Sequence, residues 1–291
     1  MSRRRRQSNP SEPEEILNND SIAEILSWLP VKYLMQMKCV SKSWNTLISD
    51  LEFVKLHLSR SAQNTYLSSL VSKHDVNNND DCSFVHFPLN CLIKNRSITI
   101  PKNPYFRLND KDCSKIIGSI NGLICLFGYS HDETTTYKEM WLRFWNPATR
   151  KISDKLGSDF NFGNSRYHWK YGGNFVFGYD NSTNTYKVVA VNFSGSNVRV
   201  FSLGDNVWRT IQSFPMLNLR MLDNSAVYDG VYFCCTINWL VYRSCLINDE
   251  HDMEFVIISL DLDTETYTEM LPPQGFLDKN ASCEERIMYA C

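Results

Sequence analysis

Ten cysteines and six histidines are the side chains of this chain best suited to hold a metal or act as nucleophiles. Their spacing suits neither task. Cys39, Cys82, Cys91, Cys113, Cys125, Cys245, Cys283 and Cys291 stand alone, and Cys234 and Cys235 are adjacent, so no C-x-x-C pair occurs. Read as neighbours on a strand, those two thiols point to opposite faces and chelate one ion poorly. His57, His74, His86, His131, His168 and His251 are scattered, with no i, i+4 pair. The chain contains no G-x-S-x-G elbow, phosphate-binding loop, G-x-G-x-x-G or H-E-x-x-H motif. Asp261 and Asp263 sit in turn-forming sequence, which explains them better than acid–base work. The expectation is a protein without cofactor, metal or catalytic residue, not an enzyme. An enzyme on the same scaffold is the alternative from a different class, and turnover or a bound metal would favour it.

One segment has the chemistry of binding. Arg166, Tyr167, His168, Trp169, Lys170 and Tyr171 interleave aromatic and basic groups, flanked by Gly163 and Gly172–Gly173. Such a mixture suits a hot spot for a protein target, and it would also stack on single-stranded nucleic acid. Equally, Tyr167, Trp169 and Tyr171 recur with period two and would form one face of a strand. The polar stretch from Tyr129 to Glu139 is a second, weaker candidate loop.

The elements that must position such groups follow from composition and period. With 291 residues, 43% hydrophobic and a net charge of −2, the chain reads as one or two globular domains. That charge balance gives no global reason to bind nucleic acid, and no apolar run approaches the roughly 18 residues of a membrane span. Arg3 to Arg6 precede no apolar segment and so do not form a secretory signal; they fit a disordered tail over residues 1–15 or a nuclear-localisation signal. The cysteines are then expected to be reduced and mostly buried in the cytoplasm or nucleus, and the sequons at Asn95, Asn181, Asn192 and Asn280 to be unused.

Residues 16–60 carry a helical period. Ser21 and Glu24 fit a capping box, with Asn19 or Asp20 as alternative caps, and Ile22, Ile25, Leu26 and Leu29 form an amphipathic stripe. Pro30 ends that helix and opens a second, Val31 to Val40, that is apolar nearly all round. Ser41 caps a third helix with Trp44, Leu47 and Ile48 on one face, and a short fourth piece holds Phe53, Val54, Leu56 and Leu58. A unit this small buries too little to hide so much apolar surface, so either the downstream domain or a partner protein must cover it.

The runs Ile22-Ala-Glu-Ile-Leu-Ser-Trp-Leu-Pro-Val-Lys, Cys39-Val-Ser-Lys-Ser-Trp-Asn-Thr-Leu-Ile-Ser-Asp and Phe53-Val-Lys-Leu-His-Leu resemble the plant F-box. That resemblance implies insertion into the Skp-type adaptor of cullin-based SCF ubiquitin ligases. It makes Leu17, Ile22, Ile25, Leu26, Leu29, Pro30, Leu34, Val40, Ser41, Trp44 and Leu47 candidate contact or core residues. Two prolines favoured by the family are missing: Asn18 follows Leu17, and Leu51 follows Asp50.

From residue 61 to 291 short apolar runs alternate with turn residues, as in Tyr186-Lys-Val-Val-Ala-Val and Asp261-Leu-Asp-Thr-Glu-Thr. Phe144, Phe201 and Ile258 recur at a constant step of 57 (201 − 144 and 258 − 201), and Phe87 extends the series backwards. Phe84, Trp141, Val198 and Phe255 lie three positions before them. Ser119-Ile-Asn-Gly-Leu-Ile and Thr236-Ile-Asn-Trp-Leu-Val form a second echo, close to two periods apart. All-strand repeats of about 50 residues suggest propeller blades.

Ile116-Ile-Gly-Ser-Ile-Asn-Gly-Leu-Ile-Cys-Leu, Trp145-Asn-Pro-Ala-Thr-Arg-Lys, Phe177-Gly-Tyr-Asp, Asn184-Thr-Tyr-Lys-Val-Val-Ala-Val and Gly230-Val-Tyr-Phe-Cys-Cys-Thr-Ile-Asn-Trp-Leu resemble the plant F-box-associated domain. That domain is kelch-related and propeller-like, and some of its bearers are pollen S-locus F-box proteins. The fold class expected is α+β multidomain, a small helical F-box followed by an all-β, partial propeller. The chain is too short for a ring of six or more such blades, so an open arc is expected, with apolar surface around Trp239, Leu240 and Phe255 exposed and rapid exchange from about residue 230. The resemblance implies a substrate receptor that binds the adaptor, through it a cullin, and an unidentified protein target. The alternative is a shortened receptor that occupies adaptor without capturing a target.

Overall fold

The computed structural model describes residues 18–63, 68–74, 82–88, 107–113, 115–130, 139–159, 175–192, 197–215, 219–220, 230–247 and 250–273. The chain divides into two compact units, one holding the helices and one holding most of the β-structure.

In the helical unit, α1 (Asn19–Leu26) starts earlier than the capping-box pattern predicts. Asn18, in extended backbone, accepts a hydrogen bond from the Ser21 amide at 2.8 Å, so Ser21 already lies inside the helix. Glu24, free of a capping task, pairs instead with Arg60 at 2.6 Å. The second helix, α2 (Val31–Met37), also stops short of the expected Val40. The Cys39 and Val40 amides reach back three residues, to Gln36 and Met37, in a tighter turn. That turn releases Ser41, whose hydroxyl accepts from the Trp44 amide at 3.1 Å and opens α3 (Lys42–Ser49). Asp50 then caps α4 (Leu51–Gln63) by accepting from the amides of Glu52 and Phe53, and this last helix runs three residues beyond the boundary expected at Arg60. Leu26, Leu34, Ile48 and Phe53 form the core of the unit.

The described strands form four sheets. The first contains β1 (Ser68–His74), β2 (Cys82–Pro88) and β3 (Arg107–Asp110). The second runs β4 (Lys115–Ile120), β5 (Leu123–Tyr129), β6 (Met140–Asn146) and β7 (Lys151–Ile152), with β8 (Leu156–Asp159) also on β6. The third is a plain meander of β9 (Phe175–Asp180), β10 (Thr185–Asn192), β11 (Asn197–Ser202) and β12 (Val207–Thr210). The fourth orders β13 (Leu219–Arg220), β15 (Thr236–Ile247), β16 (Glu250–Asp261) and β17 (Tyr267–Met270), with β14 (Val231–Phe233) also pairing β15. The architecture is thus α+β with a propeller-like β unit.

The 57-residue step finds corresponding strands but not one rung, since its residues lie six, five and seven positions before the turn residues Arg150, Asn206 and Glu265. Phe144, Phe201 and Ile258 are buried on β6, β11 and β16, and Phe87 lies on β2. A second mark of the repeat is conformational: Arg150, Asn206 and Glu265, with φ of 57°, 56° and 54°, complete the β6–β7, β11–β12 and β16–β17 turns. The Ser119/Thr236 echo, by contrast, is not a structural equivalence. Asn121 and Gly122 form the two-residue β4–β5 turn, whereas Asn238 and Trp239 lie inside β15. The equivalent turn is Cys234–Cys235, with φ of 46° and 65°, so these cysteines occupy a hairpin tip rather than the strand expected of them.

Successive sheets stack through apolar faces. Phe127, Leu142 and Phe144 of the second sheet meet Phe175, Phe177 and Val188 of the third. The opposite face of the third sheet, with Val189, Val191 and Val200, packs on Ile237, Trp239, Val256 and Ile258 of the fourth. Burial on both faces explains why these strands read as continuous apolar runs rather than alternating ones. It also corrects the expected exposed patch. Trp239 faces the third sheet, edge-on to Phe214 at 5.4 Å, Phe255 is buried and Leu240 half-buried. Among the described residues, the large apolar side chains exposed on and beside the fourth sheet are instead Val231, Phe233, Met270 and Leu271.

Polar clasps hold the seams. Lys187, on the face of β10 that carries Val189, sits 3.0 Å from Asp180 and 3.5 Å from Glu265, and donates to the Leu262 carbonyl. Arg209 grips both oxygens of Glu265, at 2.7 and 3.2 Å, and Ser182 donates to Asp263. Burial alone would raise the Asp180 pKa, but hydrogen bonds from Thr183, Ser182 and Lys187 outweigh it and hold the carboxyl well below its ordinary 3.8. At the start of the second sheet, Arg143 contacts Asp110 at 2.6 Å and Asp112 at 3.2 Å, while the Trp141 indole donates to the Asp112 carbonyl at 3.0 Å. Gly128 lies opposite Trp141, and a Cβ there would fall 2.0 Å from that same carbonyl oxygen.

Two stability predictions follow from these seams. Gly128→Ala is expected to cost about 1–3 kcal/mol by overpacking, measured by urea unfolding. Asp180→Asn should cost about 3 kcal/mol at neutral pH, because it strips the buried Lys187 of its nearest carboxylate. Since folding depresses this pKa, the contribution is complete above the unfolded value of 3.8 and is lost as pH falls below it. Unfolding titrations at pH 7, 4.5 and 3 should therefore show wild type and variant converging at acid pH. A constant gap would remove Asp180 from this role.

Candidate docking surface

The eleven sequence candidates in the helical unit separate by burial. Leu26 and Leu34 are core, at 3% and 2% exposure. Ile22, Leu29, Trp44 and Leu47 are half-buried and lean on that core. Ile25 and Val40 are exposed, at 56% and 61%, as are Pro30 and Ser41, the latter committed to its capping bond. Leu17 lies outside the described residues.

The structure adds four exposed apolar residues that the sequence candidates omit: Trp28, Tyr33, Leu51 and Val54. Helix geometry accounts for them. Ala23 and Leu26 of α1 turn towards the core, and the i, i+3 pair Ile25 and Trp28 falls outside that stripe. On α2, Leu34 is inside and its neighbour Tyr33 outside. The signal was present in the sequence as an apolar residue beside, rather than on, the core stripe.

Trp28 is also held in place. The Arg60 guanidinium lies 4.8 Å from its ring centroid while bonding to the Glu24 carboxylate and carbonyl and to the Ser27 hydroxyl. His57 contacts the Leu29 carbonyl at 3.0 Å, so α4 is tied to the end of α1 by two polar side chains. This arrangement presents a fixed aromatic ring and several aliphatic groups to solvent without disturbing the core. Its chemistry is that of a protein-docking surface, where a few large anchors dominate.

The second candidate, Arg166 to Tyr171, lies outside the described residues. Of the weaker Tyr129–Glu139 loop the ends are described, and the Ser130 amide donates to the Glu139 carbonyl at 2.9 Å, closing its base. Among the described residues, no group of three or more His, Cys, Asp and Glu side chains is placed to hold a metal ion, and no helix is long and apolar enough to cross a membrane. Burial pushes the Cys113 thiol up to about 12 and Cys125 well above its ordinary value, which keeps both protonated and inert.

Comparison with known proteins covers both units. Residues 15–56 match the F-box domain, and residues 56–284 match the F-box associated beta propeller domain. The chain is 29% identical over 261 residues to an F-box/kelch-repeat protein of Arabidopsis thaliana, covering 87% of this chain and 65% of that protein. It is 26% identical over 280 residues to an F-box protein of the same plant, covering 89% of this chain and 60% of the relative. Across several such Arabidopsis relatives the chain spans between 48% and 76% of their length. Among solved structures, the β-propeller domain of the Trilobed protease from Pyrococcus furiosus is similar at a TM-score of 0.35 and 11% identity, covering 70% of this chain and 53% of that one, a likeness too slight to carry weight.

The split between core and surface is measurable. Leu26→Ala should cost about 2–5 kcal/mol of stability by leaving a cavity. Trp28→Ala, losing an exposed ring and one cation–π contact, should cost about 1 kcal/mol or less. Equal costs in chemical denaturation would contradict this division.

Proposed function

The chain belongs to the plant F-box proteins that carry an F-box-associated β-propeller domain, and from that membership we propose that it is the substrate-recognition subunit of an SCF-type ubiquitin ligase. The observation that carries this reading is the pairing of an F-box with a propeller-like domain in one chain, its helical unit bearing solvent-exposed Ile25, Trp28, Tyr33, Val40 and Leu51. A Skp-type adaptor would cover those groups and link the chain to a cullin, in the cytoplasm or nucleus. The β unit would hold a protein target within reach of the ligase's conjugating enzyme.

In this role the chain supplies no acid, base or nucleophile. Its contribution to rate is proximity: a target lysine held near an activated ubiquitin reacts at an effective concentration far above its concentration in solution. Proximity works only if the target is presented rigidly, and a β unit whose sheets are packed face to face and clasped by buried ion pairs suits that demand.

A triple variant, Ile25→Asp, Tyr33→Asp and Val40→Asp, tests the adaptor half. All three positions are at least half exposed, so folding should persist. Capture of a purified Skp-type adaptor is expected to fall by at least about tenfold, a loss of about 1.4 kcal/mol or more. Undiminished capture by the folded variant would sink the proposal for this surface.

A further inference from the structure

The hairpin joining β14 to β15 is as short as a hairpin can be: Phe233 pairs with Thr236, and Cys234 and Cys235 make the turn between them with φ of 46° and 65°. Two successive residues of positive φ suit Asn-Gly best, and the corresponding β4–β5 turn of the second sheet has Asn121 and Gly122 there, at 51° and 76°. Two cysteines give such a turn no help. Each carries a Cβ that crowds the backbone in this region, and neither offers the local hydrogen bond of an asparagine. Turn formation therefore does not account for them, and what distinguishes them is the adjacent pair of thiols. We propose that Cys234 and Cys235 are a reversible oxidation site, which a peroxide closes into a vicinal disulfide that loosens the hairpin tip from its neighbours.

The two thiols differ in access. Cys234 is exposed, whereas Cys235 is half-buried and its sulfur accepts a hydrogen bond at 2.8 Å from the Asn181 side chain in the β9–β10 turn. A peroxide therefore meets Cys234 first. The Cys234 sulfur attacks a peroxide oxygen, the O–O bond breaks, and the thiol proton leaves with the displaced oxygen as water or an alcohol, giving a sulfenic acid. The Cys235 sulfur then attacks the sulfenic sulfur, the S–O bond breaks, and water carries off the hydroxyl and the Cys235 proton. Two thiols are oxidised and one peroxide is reduced. Adjacency gives Cys235 an effective concentration at the sulfenic acid that no thiol in solution matches. Among the other described cysteines, Cys113 and Cys125 are buried and inert, and Cys39 is exposed but has no cysteine beside it in sequence.

Geometry makes the bond labile. The Cα atoms of neighbouring residues lie about 3.8 Å apart, below the roughly 4.4 Å at which relaxed disulfides begin, so the small ring is strained and easily reduced. In a reducing compartment such a bond is transient. Closing it also shifts the turn backbone, and that backbone is tied down on two sides. The Cys235 carbonyl accepts from the Leu262 amide at 3.0 Å, beside the end of β16, while the Cys235 sulfur holds Asn181 of the third sheet. Oxidation takes up the sulfur and moves the carbonyl, so both ties weaken together.

The full chain allows a direct test, because trypsin cleavage after Arg220 and Arg243 releases a peptide, residues 221–243, whose only cysteines are Cys234 and Cys235. The chain is treated briefly with hydrogen peroxide, alkylated with N-ethylmaleimide, digested and weighed. This peptide should appear without alkyl groups and lighter than its dithiol form by a pair of hydrogens, and dithiothreitol should restore the dithiol. Cys235→Ser, unable to close the ring, should stop at the Cys234 sulfenic acid and take up at least about tenfold more dimedone than Cys234→Ser. Hydrogen exchange at the Leu262 amide should quicken on oxidation of the wild-type chain. The wild-type measurements need no variant, so they stand whether or not the serine variants fold. A peptide that stays alkylated, passes on to sulfinic or sulfonic acid or becomes linked to another cysteine peptide would overturn the proposal. So would equal dimedone labelling of the two variants, or unchanged Leu262 exchange in the oxidised chain.

Discussion

A four-stranded antiparallel meander with apolar side chains on both faces is not stable by itself, because each exposed face leaves several large side chains in water. Each fully buried aliphatic or aromatic side chain contributes roughly 1.5–3 kcal/mol, and the third sheet directs such groups to both sides. It exists as a folded element because the second and fourth sheets cover it. That mutual cover sets the repeat: every sheet must provide two apolar faces of similar width, so its central strands recur at a nearly fixed spacing. The turn residues with positive φ, Arg150, Asn206 and Glu265, close the same hairpin in each of the three sheets, at steps of 56 and 59 residues (206 − 150 and 265 − 206) rather than a constant one.

Once the apolar faces are matched, the strand ends and seams carry the polar cost. Lys187 occupies a position where its neighbours on the same face are valines, and it is tolerated because Asp180, Glu265 and the Leu262 carbonyl meet its ammonium. Asp180 is itself saturated by Ser182 and Thr183, so neither partner is left with an unmet bond. These contacts are directional where packing is not. They fix how far one sheet slides along the next, and rigidity of that kind separates a fixed binding surface from a stack that shears. The Gly157–Asn206–Trp208 clasp does the same at the neighbouring seam.

What could be read from sequence followed from how each feature is encoded. The repeat was legible to the level of the strand, because the same burial demand is written again on β6, β11 and β16 in Phe144, Phe201 and Ile258, but the constant step of 57 missed the rung by one residue or more. The Ser119/Thr236 echo misled because identical residues can fall at different rungs of a ladder, one on a turn and the other inside a strand. The Lys187–Glu265 pair was hidden because its members are far apart in sequence and Glu265 reads as turn chemistry. In the helical unit the stripe Ile22, Ile25, Leu26 and Leu29 was legible except at Ile25, which is exposed, and its cap was misplaced, since Asn18, Asn19, Asp20 and Ser21 are all able caps and only backbone geometry chooses among them. Trp28 and Tyr33 were missed because period identifies the core face and says little about an apolar residue beside it.

The two units therefore answer the same excess of apolar surface in opposite ways. In the β unit, chain length is spent on further sheets, and each new sheet covers the face left by the last. Among the described residues the helical unit has four short helices, and Leu26, Leu34, Ile48 and Phe53 fill the space between them. Moving Ile25, Tyr33 or Val40 inward would displace one of these and overpack the core, so within the unit those groups have nowhere else to go. Their exposure is then a consequence of helix number and length, and the polar ties from Arg60 and His57 matter because they hold α4 in place without consuming that surface. A partner that inserted apolar side chains among these groups would complete a core that the four described helices leave open.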